Sequence, residues 1–285
     1  METSPLAWRL ASRFIAGERL SQALETARRI NGEGILVTLD RLGEHVTSLE
    51  EAAQARDGYL ETLDELARSG INANVSIKLT QFGIDLSEPA CRQNVEQLVR
   101  RAAELGNFVR VDMESSDYTD RTLSLVQDLH ARYGAVGTVI QSYLYRSRKD
   151  IELLCARKIR VRLCKGAYLE PARVAYPRKP DVDSNYVRLM ETLLRYGPYP
   201  AFATHDERII EATRRTAARL GVAPDGFEFQ MLYGIRRDLQ ERLVREGYRL
   251  RLYVPFGTAW YPYFMRRLAE RPANLFFLMR NLFRR

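Results

Sequence analysis

The stretch "ILVTLDRLGEHV", residues 35–46, decides between two folds. It opens as a β-rich run and then turns. An open doubly wound sheet that binds a dinucleotide fills this first turn with G-x-G-x-x-G. Here the turn reads "LDRLGEHV" (39–46), with one glycine. Working outward, further β-rich runs follow at "NVSIKL" (74–79), "FVRVDM" (108–113), "VGTVIQSY" (136–143), "IRVRLCKG" (159–166), "PAFATH" (200–205), "FEFQML" (227–232) and "LRLYVPF" (250–256). Amphipathic helical stretches separate them, at 49–68, 88–105, 120–133, 148–157, 184–196, 207–220 and 237–246. Repeats of about 30 residues are the size of a strand plus its crossover helix. Eight such units in 285 residues predict an α/β fold of the (β/α)₈ TIM-barrel type, with the open sheet as the alternative. Residues 1–30 read as an N-terminal helical arm, with Ser4-Pro5 as cap and first helical position, and residues 31–285 as the barrel.

Composition bounds the function. A hydrophobic fraction of 46% and a charged fraction of 28% are those of a soluble globular protein. The start, "METSPLAWRLASRF", lacks the apolar core of a secretion signal, and no apolar run approaches the length of a membrane span, so a cytoplasmic protein is expected. Cys91, Cys155 and Cys164 have no metal-ligand spacing and fit reduced thiols. The net charge of +8 invites a nucleic-acid reading. Its 39 arginines are, however, dispersed along helices with acids nearby, as in "ERIIEATRRTAARL", and no nucleic-acid motif is present. Only five lysines occur, so a lysine at a strand end draws notice.

Barrels place chemistry at the C-terminal ends of their strands. Those ends carry Lys78; Asp112 and Glu114; Gln141 and Tyr143; Arg162 and the turn Lys165-Gly166-Ala167-Tyr168; Thr204-His205-Asp206; Gln230 and Leu232; and Tyr253. Singly, each has a second reading. Lys78 and Arg162 fit interior ion pairs with Asp112 as well as anion-binding groups, His205 fits a hydrogen-bonding or capping role, and the Lys165–Tyr168 turn fits a plain close approach of backbone. Together they offer cations for an anionic group and, with Trp260 and Tyr263, rings for an apolar body, but neither an activated nucleophile nor a metal-ligand set. Such a site leaves the hard chemistry to a cofactor.

"VSIKLTQFGIDLS", "VRVDMESS", "IQSYLYRS", "VRLCKGAYLEP", "FATHD", "FEFQMLYG" and "YVPFGTAWYPYFMRRLAERPANL" together resemble the proline dehydrogenase family, in its short monofunctional bacterial form, in the same order from about residue 13 to the end. The resemblance implies a distorted (β/α)₈ barrel with FAD that oxidises L-proline to Δ¹-pyrroline-5-carboxylate. It implies that Lys78, Arg266 and Arg267 hold the proline carboxylate, and that Asp112, Ala167, Leu232, Tyr253 and Tyr263 shape the rest of the pocket. Arg162 would approach flavin N5, and Gln141, Lys165, Gly166, Ala167, Tyr168, Thr204 and His205 would hold other parts of FAD. Glu44 matches the acid that gates the site by pairing with an active-site arginine. Family enzymes pass electrons to membrane quinone, so peripheral attachment is an expectation, as is hand-over of product to a pyrroline-5-carboxylate dehydrogenase. The segment "NLFFLMRNLFRR" (274–285) suits either an interfacial helix or one packed on the barrel.

Physical chemistry fits these implied roles. Guanidinium groups satisfy a carboxylate with charge-assisted, often bidentate hydrogen bonds, and anchoring that end sets proline C5 over the flavin. A site rich in positive charge is expected to favour the neutral amine. The adjacent Arg266 and Arg267 point about 100° apart on a helix, so they flank one carboxylate only if the helix after the eighth strand lies over the barrel mouth.

Overall fold

The computed structural model describes Trp8 and residues 11–269, with side chains as far as Met265. Eight parallel strands close into a barrel in chain order: β1 (Leu36–Arg41), β2 (Ala73–Ile77), β3 (Val109–Val111), β4 (Val136–Gln141), β5 (Val161–Cys164), β6 (Ala201–Ala203), β7 (Glu228–Leu232) and β8 (Leu250–Phe256). Closure runs through β1 and β8, in register from Leu36 beside Arg251 to Arg41 beside Phe256. The helices are α1 (Leu20–Gly32), α2 (Leu49–Ser69), α3 (Glu88–Glu104), α4 (Thr119–Tyr133), α5 (Ser147–Ala156), α6 (Lys179–Tyr196), α7 (Glu207–Leu220), α8 (Arg237–Arg245) and α9 (Trp260–Ala269).

Local chemistry sets the boundaries. Ser48 and Ser87 cap α2 and α3 by accepting the amide hydrogens of Glu51 and Ala90, and α2 ends where Gly70 turns left-handed at φ +63°. The sixth helix begins at Lys179, not at 184 as the periodicity predicts, because Pro180 is tolerated in a first turn whose amide hydrogens have no intrahelical partner.

Two faces of each strand do different work. Val37, Leu39, Val75, Ile77, Val109 and Val111 point out and are buried against the helices in one continuous apolar layer. The alternate, inward positions are polar or charged: Thr38, Asp40, Ser76, Arg110, Asp112, Arg162, Glu228, Gln230, Arg251 and Tyr253 line the interior that barrels commonly fill with branched aliphatics. Hydrogen bonding must therefore hold the inside of this barrel together.

The expected N-terminal helix takes a structural slot. Helix α1 contacts both β1 and β8, burying Ala23, Ala27 and Ile30 in the main core. That is where the helix after the eighth strand of a regular barrel would lie. The segment before α1 is pinned to the end of β8: Ala16 donates to the Pro255 carbonyl at 2.8 Å, and Gly257 to the Gly17 carbonyl at 3.0 Å. Helix α9 is correspondingly displaced. Its Trp260, Tyr263 and Phe264 form a separate small core with Ala11, Ile15 and Leu42, and Trp260 meets Trp8 edge-on at 5.3 Å. Leu42 follows directly after β1, so α9 sits at the rim of the C-terminal barrel face.

Candidate functional site

Lys78 leaves the end of β2 and reaches across the mouth. Its ammonium lies 3.2 Å from Asp40 Oδ1, 3.5 Å from Asp112 Oδ2 and 4.0 Å from Glu44 Oε1, and donates to Tyr253 Oη at 3.2 Å. Asp112 is the hub. Its Oδ1 accepts from Ser76 at 2.6 Å and from Arg162 Nη1 at 2.8 Å, while Oδ2 accepts from Tyr253 at 2.8 Å. The Arg162 guanidinium stacks 5.3 Å over the Tyr253 ring. Arg162 is buried, and its Nε donates to Gln230.

The interior ion-pair reading of the two cations holds, and the pairs meet at the barrel mouth. Burial would pull the Lys78 ammonium down, but Asp40, Tyr253, Asp112 and Glu44 outweigh it and hold its pKa well above the ordinary value. Burial pushes the Asp40 carboxyl up, with help from Asp112, against the pull of Lys78. For Asp112 burial is opposed by Lys78, Arg162, Ser76 and Tyr253 together, and its pKa falls. Of the two aspartates beside Lys78, Asp112 is the one whose surroundings favour the ionised form.

Asp40 is the residue that reading strand tips missed. It ends the run "ILVTLD" and is 1% exposed, so the tip rule applied to the first strand would have found it. The described groups are not rich in positive charge: Asp40, Glu44 and Asp112 face Lys78 and Arg162, because the strand ends supply acids as well as cations. Any excess of positive charge depends on Arg266 and Arg267. Their backbone lies in α9, but their side chains fall outside the described residues, as does the whole of 274–285. The expected pairing of Glu44 with an active-site arginine falls outside them too; Glu44 is placed beside Lys78.

A second group lines the mouth on the β4–β7 side. Gly166 has φ +115°, and a Cβ there would meet Tyr143 ring carbons at 2.6 Å, so only glycine allows this approach. Ala167 and Tyr168 stand exposed beyond it. The loop is tied down by Glu170, which accepts from the Ser116 amide at 2.7 Å and hydroxyl at 2.6 Å. Lys165 turns away to Asp183 at 2.6 Å and Asp206 at 2.9 Å, a clamp that includes a helix 18 residues onward. Thr204 Oγ1 accepts from the Asp206 amide at 3.0 Å, and His205 Nε2 accepts from the Leu232 amide at 3.1 Å. Gln141 donates to the carbonyls of Met113 and Glu114.

Three buried polar atoms at these tips have no hydrogen-bond partner among the described residues: Arg162 Nη2, Gln141 Oε1 and Tyr143 Oη. Buried groups of this kind are rarely left unpaired. Carried on β4, just after it and on β5, they fit a polar ligand lying across that side of the mouth.

A sequence model of the family described as proline dehydrogenase matches residues 23–280. The chain belongs to the proline dehydrogenase family. It is 44% identical over 280 residues to the proline dehydrogenase of Deinococcus radiodurans, covering 96% of this chain and 90% of that protein. It is 41% identical over 272 residues to proline dehydrogenase 2 of Bacillus subtilis, covering 95% and 90%. Among solved structures, proline utilization A from Bdellovibrio bacteriovorus matches with a TM-score of 0.86 and 29% identity over 92% of this chain. The present chain spans 32% of that much longer protein. Its eight-stranded barrel is thus the fold that it shares with that solved neighbour. Among the described residues no helix is long and apolar enough to cross a membrane.

Proposed function

We propose that this member of the proline dehydrogenase family is an FAD-dependent oxidoreductase that oxidises L-proline to Δ¹-pyrroline-5-carboxylate, the first step of proline catabolism. The observation that carries the reading is Arg162: a buried guanidinium with Nε and Nη1 occupied and Nη2 unpartnered among the described residues, beside the Lys78–Asp112–Tyr253 cluster. The residues present fit a flavin. Arg162 Nη2 would face N5. Gln141, Thr204, His205 and the Lys165–Tyr168 turn would hold the remainder, with Gly166 permitting close approach and the amide oxygen of Gln141 free to accept. The chemistry that bound FAD supplies is acceptance at N5 of the hydride leaving proline C5, as the amine lone pair forms the C=N bond.

The protein's share is binding and orientation. Lys78, Arg266 and Arg267 hold the substrate carboxylate, and the balanced charges around Lys78 make the two arginines the decisive cations. Asp112 fixes Lys78, Tyr253 and Arg162 against one another, so the ring that Tyr253 packs on stays aligned with the flavin. Ala167, Leu232 and Tyr263 complete the pocket wall, and Glu44 acts as the gate at its edge. A positive group near N5 stabilises reduced flavin.

The catalytic unit is the barrel built on β1 to β8, and α1 belongs to the arm that precedes it. Electrons then pass to a membrane quinone, with peripheral attachment at the inner face of the cell membrane, and the product passes to a pyrroline-5-carboxylate dehydrogenase. Turnover tests the assignment. FAD-loaded protein given L-proline and a soluble quinone should form a cyclic imine that condenses with an aromatic amino-aldehyde. FAD-loaded protein that forms no such product would overturn the reading.

A further inference from the structure

We infer that Gln230, itself oriented by Glu228, is a positioning residue that aims Arg162, and so sets how strongly the reduced flavin is stabilised; this rests on the FAD reading above. The inference starts from alternation in β7. Phe229 and Met231 point into the apolar layer, so Glu228 and Gln230 point into the barrel. Arg162 belongs to β5, two strands away. Between them β6 contributes Ala201 and Ala203 on its inward face, opposite the outward Phe202, so nothing larger than a methyl group intervenes. Arg162 Nε reaches across and donates to Gln230 Oε1.

The other end of that amide is fixed as well. Gln230 Nε2 donates to Glu228 Oε1, and the Glu228 carboxylate also takes Arg251 Nε at 2.8 Å, Arg251 Nη2 at 3.1 Å and the Tyr199 hydroxyl at 3.2 Å. A flipped amide would set its NH₂ against Arg162 Nε–H and its oxygen against a carboxylate. The amide therefore has one orientation. On its far side Arg162 is held at Nη1 by Asp112 at 2.8 Å and Ser76 at 3.2 Å. A planar fork held at two of its three nitrogens presents the third in a fixed direction, and the third is the buried Nη2, unpartnered among the described residues.

The choice of residue follows. An acid at 230 would orient Arg162 equally well, but ionised it would face Glu228 as a like charge and cancel the field of Arg162. Glutamine orients without neutralising. Asp112 is then the sole carboxylate within ion-pair distance of Arg162 among the described residues.

Two variants test this in FAD-loaded protein. Gln230→Met removes the pin and leaves Arg162 free to turn. Its flavin midpoint potential should drop by about 30 mV, equal to roughly a tenfold loss in stabilisation of the two-electron-reduced form. The value of kcat should fall about tenfold, with KM for proline within about twofold. Gln230→Glu supplies the control, because its carboxyl when protonated repeats the donor–acceptor pattern of the amide. Its potential should match wild type at acidic pH and fall below it as pH rises. A Gln230→Met potential equal to wild type, or, should that variant not fold, a Gln230→Glu potential that tracks wild type at every pH, would overturn the inference. Failure of the wild-type protein to take up flavin is visible before any variant is made, and would overturn the FAD reading together with this one.

Discussion

Replacing Asp112 by asparagine removes one charge from the hub while preserving its shape. Four donors converge on the two carboxylate oxygens: Ser76 and Arg162 on one, Tyr253 on the other, with Lys78 at 3.5 Å. An amide keeps one oxygen and must turn its NH₂ toward the other pair. The smaller penalty keeps the oxygen on the Arg162 side, where the guanidinium cannot accept a hydrogen bond, and leaves Tyr253 and Lys78 facing an NH₂. Tyr253 can rotate its hydroxyl to accept, and Lys78 retains Asp40 at 3.2 Å. Breaking a buried ion pair outright costs about 3–5 kcal/mol, and losing one charged hydrogen bond about 1.5–3 kcal/mol. The remaining partners keep Asp112→Asn near the lower range, about 2–3 kcal/mol, which is about 30- to 150-fold in kcat/KM for L-proline. The flavin midpoint potential should move the opposite way and rise, because a negative charge beside Arg162 is gone. Steady-state kinetics and a redox titration read the two quantities separately. A kcat/KM within threefold of wild type, with an unchanged potential, would refute the hub.

Three further outcomes are expected. Gly166→Ala forces a Cβ onto the Tyr143 ring at a backbone angle of φ +115°, so it should cost about 1–3 kcal/mol and weaken FAD uptake, read by thermal melting and flavin titration. Lys165→Met leaves the carboxylates of Asp183 and Asp206 with only Lys179 of the two lysines that, against the opposing effect of burial, hold both below the usual carboxylate range. The depressed pKa values contribute stability above the unfolded-state value near 4 that is lost as pH falls through the folded-state values, so the roughly 1–2 kcal/mol deficit of the variant at pH 7 should shrink in acid. Urea unfolding at neutral and acidic pH checks this, and a pH-independent gap would contradict it. Arg266→Met and Arg267→Met should each raise KM for proline steeply, by roughly 2–4 kcal/mol of lost binding; unchanged KM in both would remove the carboxylate assignment.

Strand and helix periodicity made the barrel legible, because alternating burial and helical amphipathicity are local properties. The eighth run, "LRLYVPF", is the observed β8 residue for residue, and the missing glycine-rich turn after the first run separated the barrel from the open sheet. The site residues Lys78, Asp112, Arg162 and Tyr253 do come together, since Lys78 and Asp112 immediately follow their strands while Arg162 and Tyr253 occupy inward positions within theirs. What stayed hidden is long-range. Asp40 looked like the polar end of an apolar run, and its partnership with Lys78 spans 38 residues. The Lys165 clamp depends on the path of the loop before α6, which no periodicity describes. Gln230 was visible as a polar residue on β7, but its link to Arg162 needs the small side chains of β6 between them.

The spectrum of the purified protein, taken without oxygen before and after adding L-proline, bears on the whole assignment. Oxidised flavin bands that bleach on adding L-proline, and persist when the same concentration of a ring lacking the carboxylate is added, are the expected result. A protein that will not take up FAD, or whose bound flavin stays oxidised in the presence of L-proline, would contradict it.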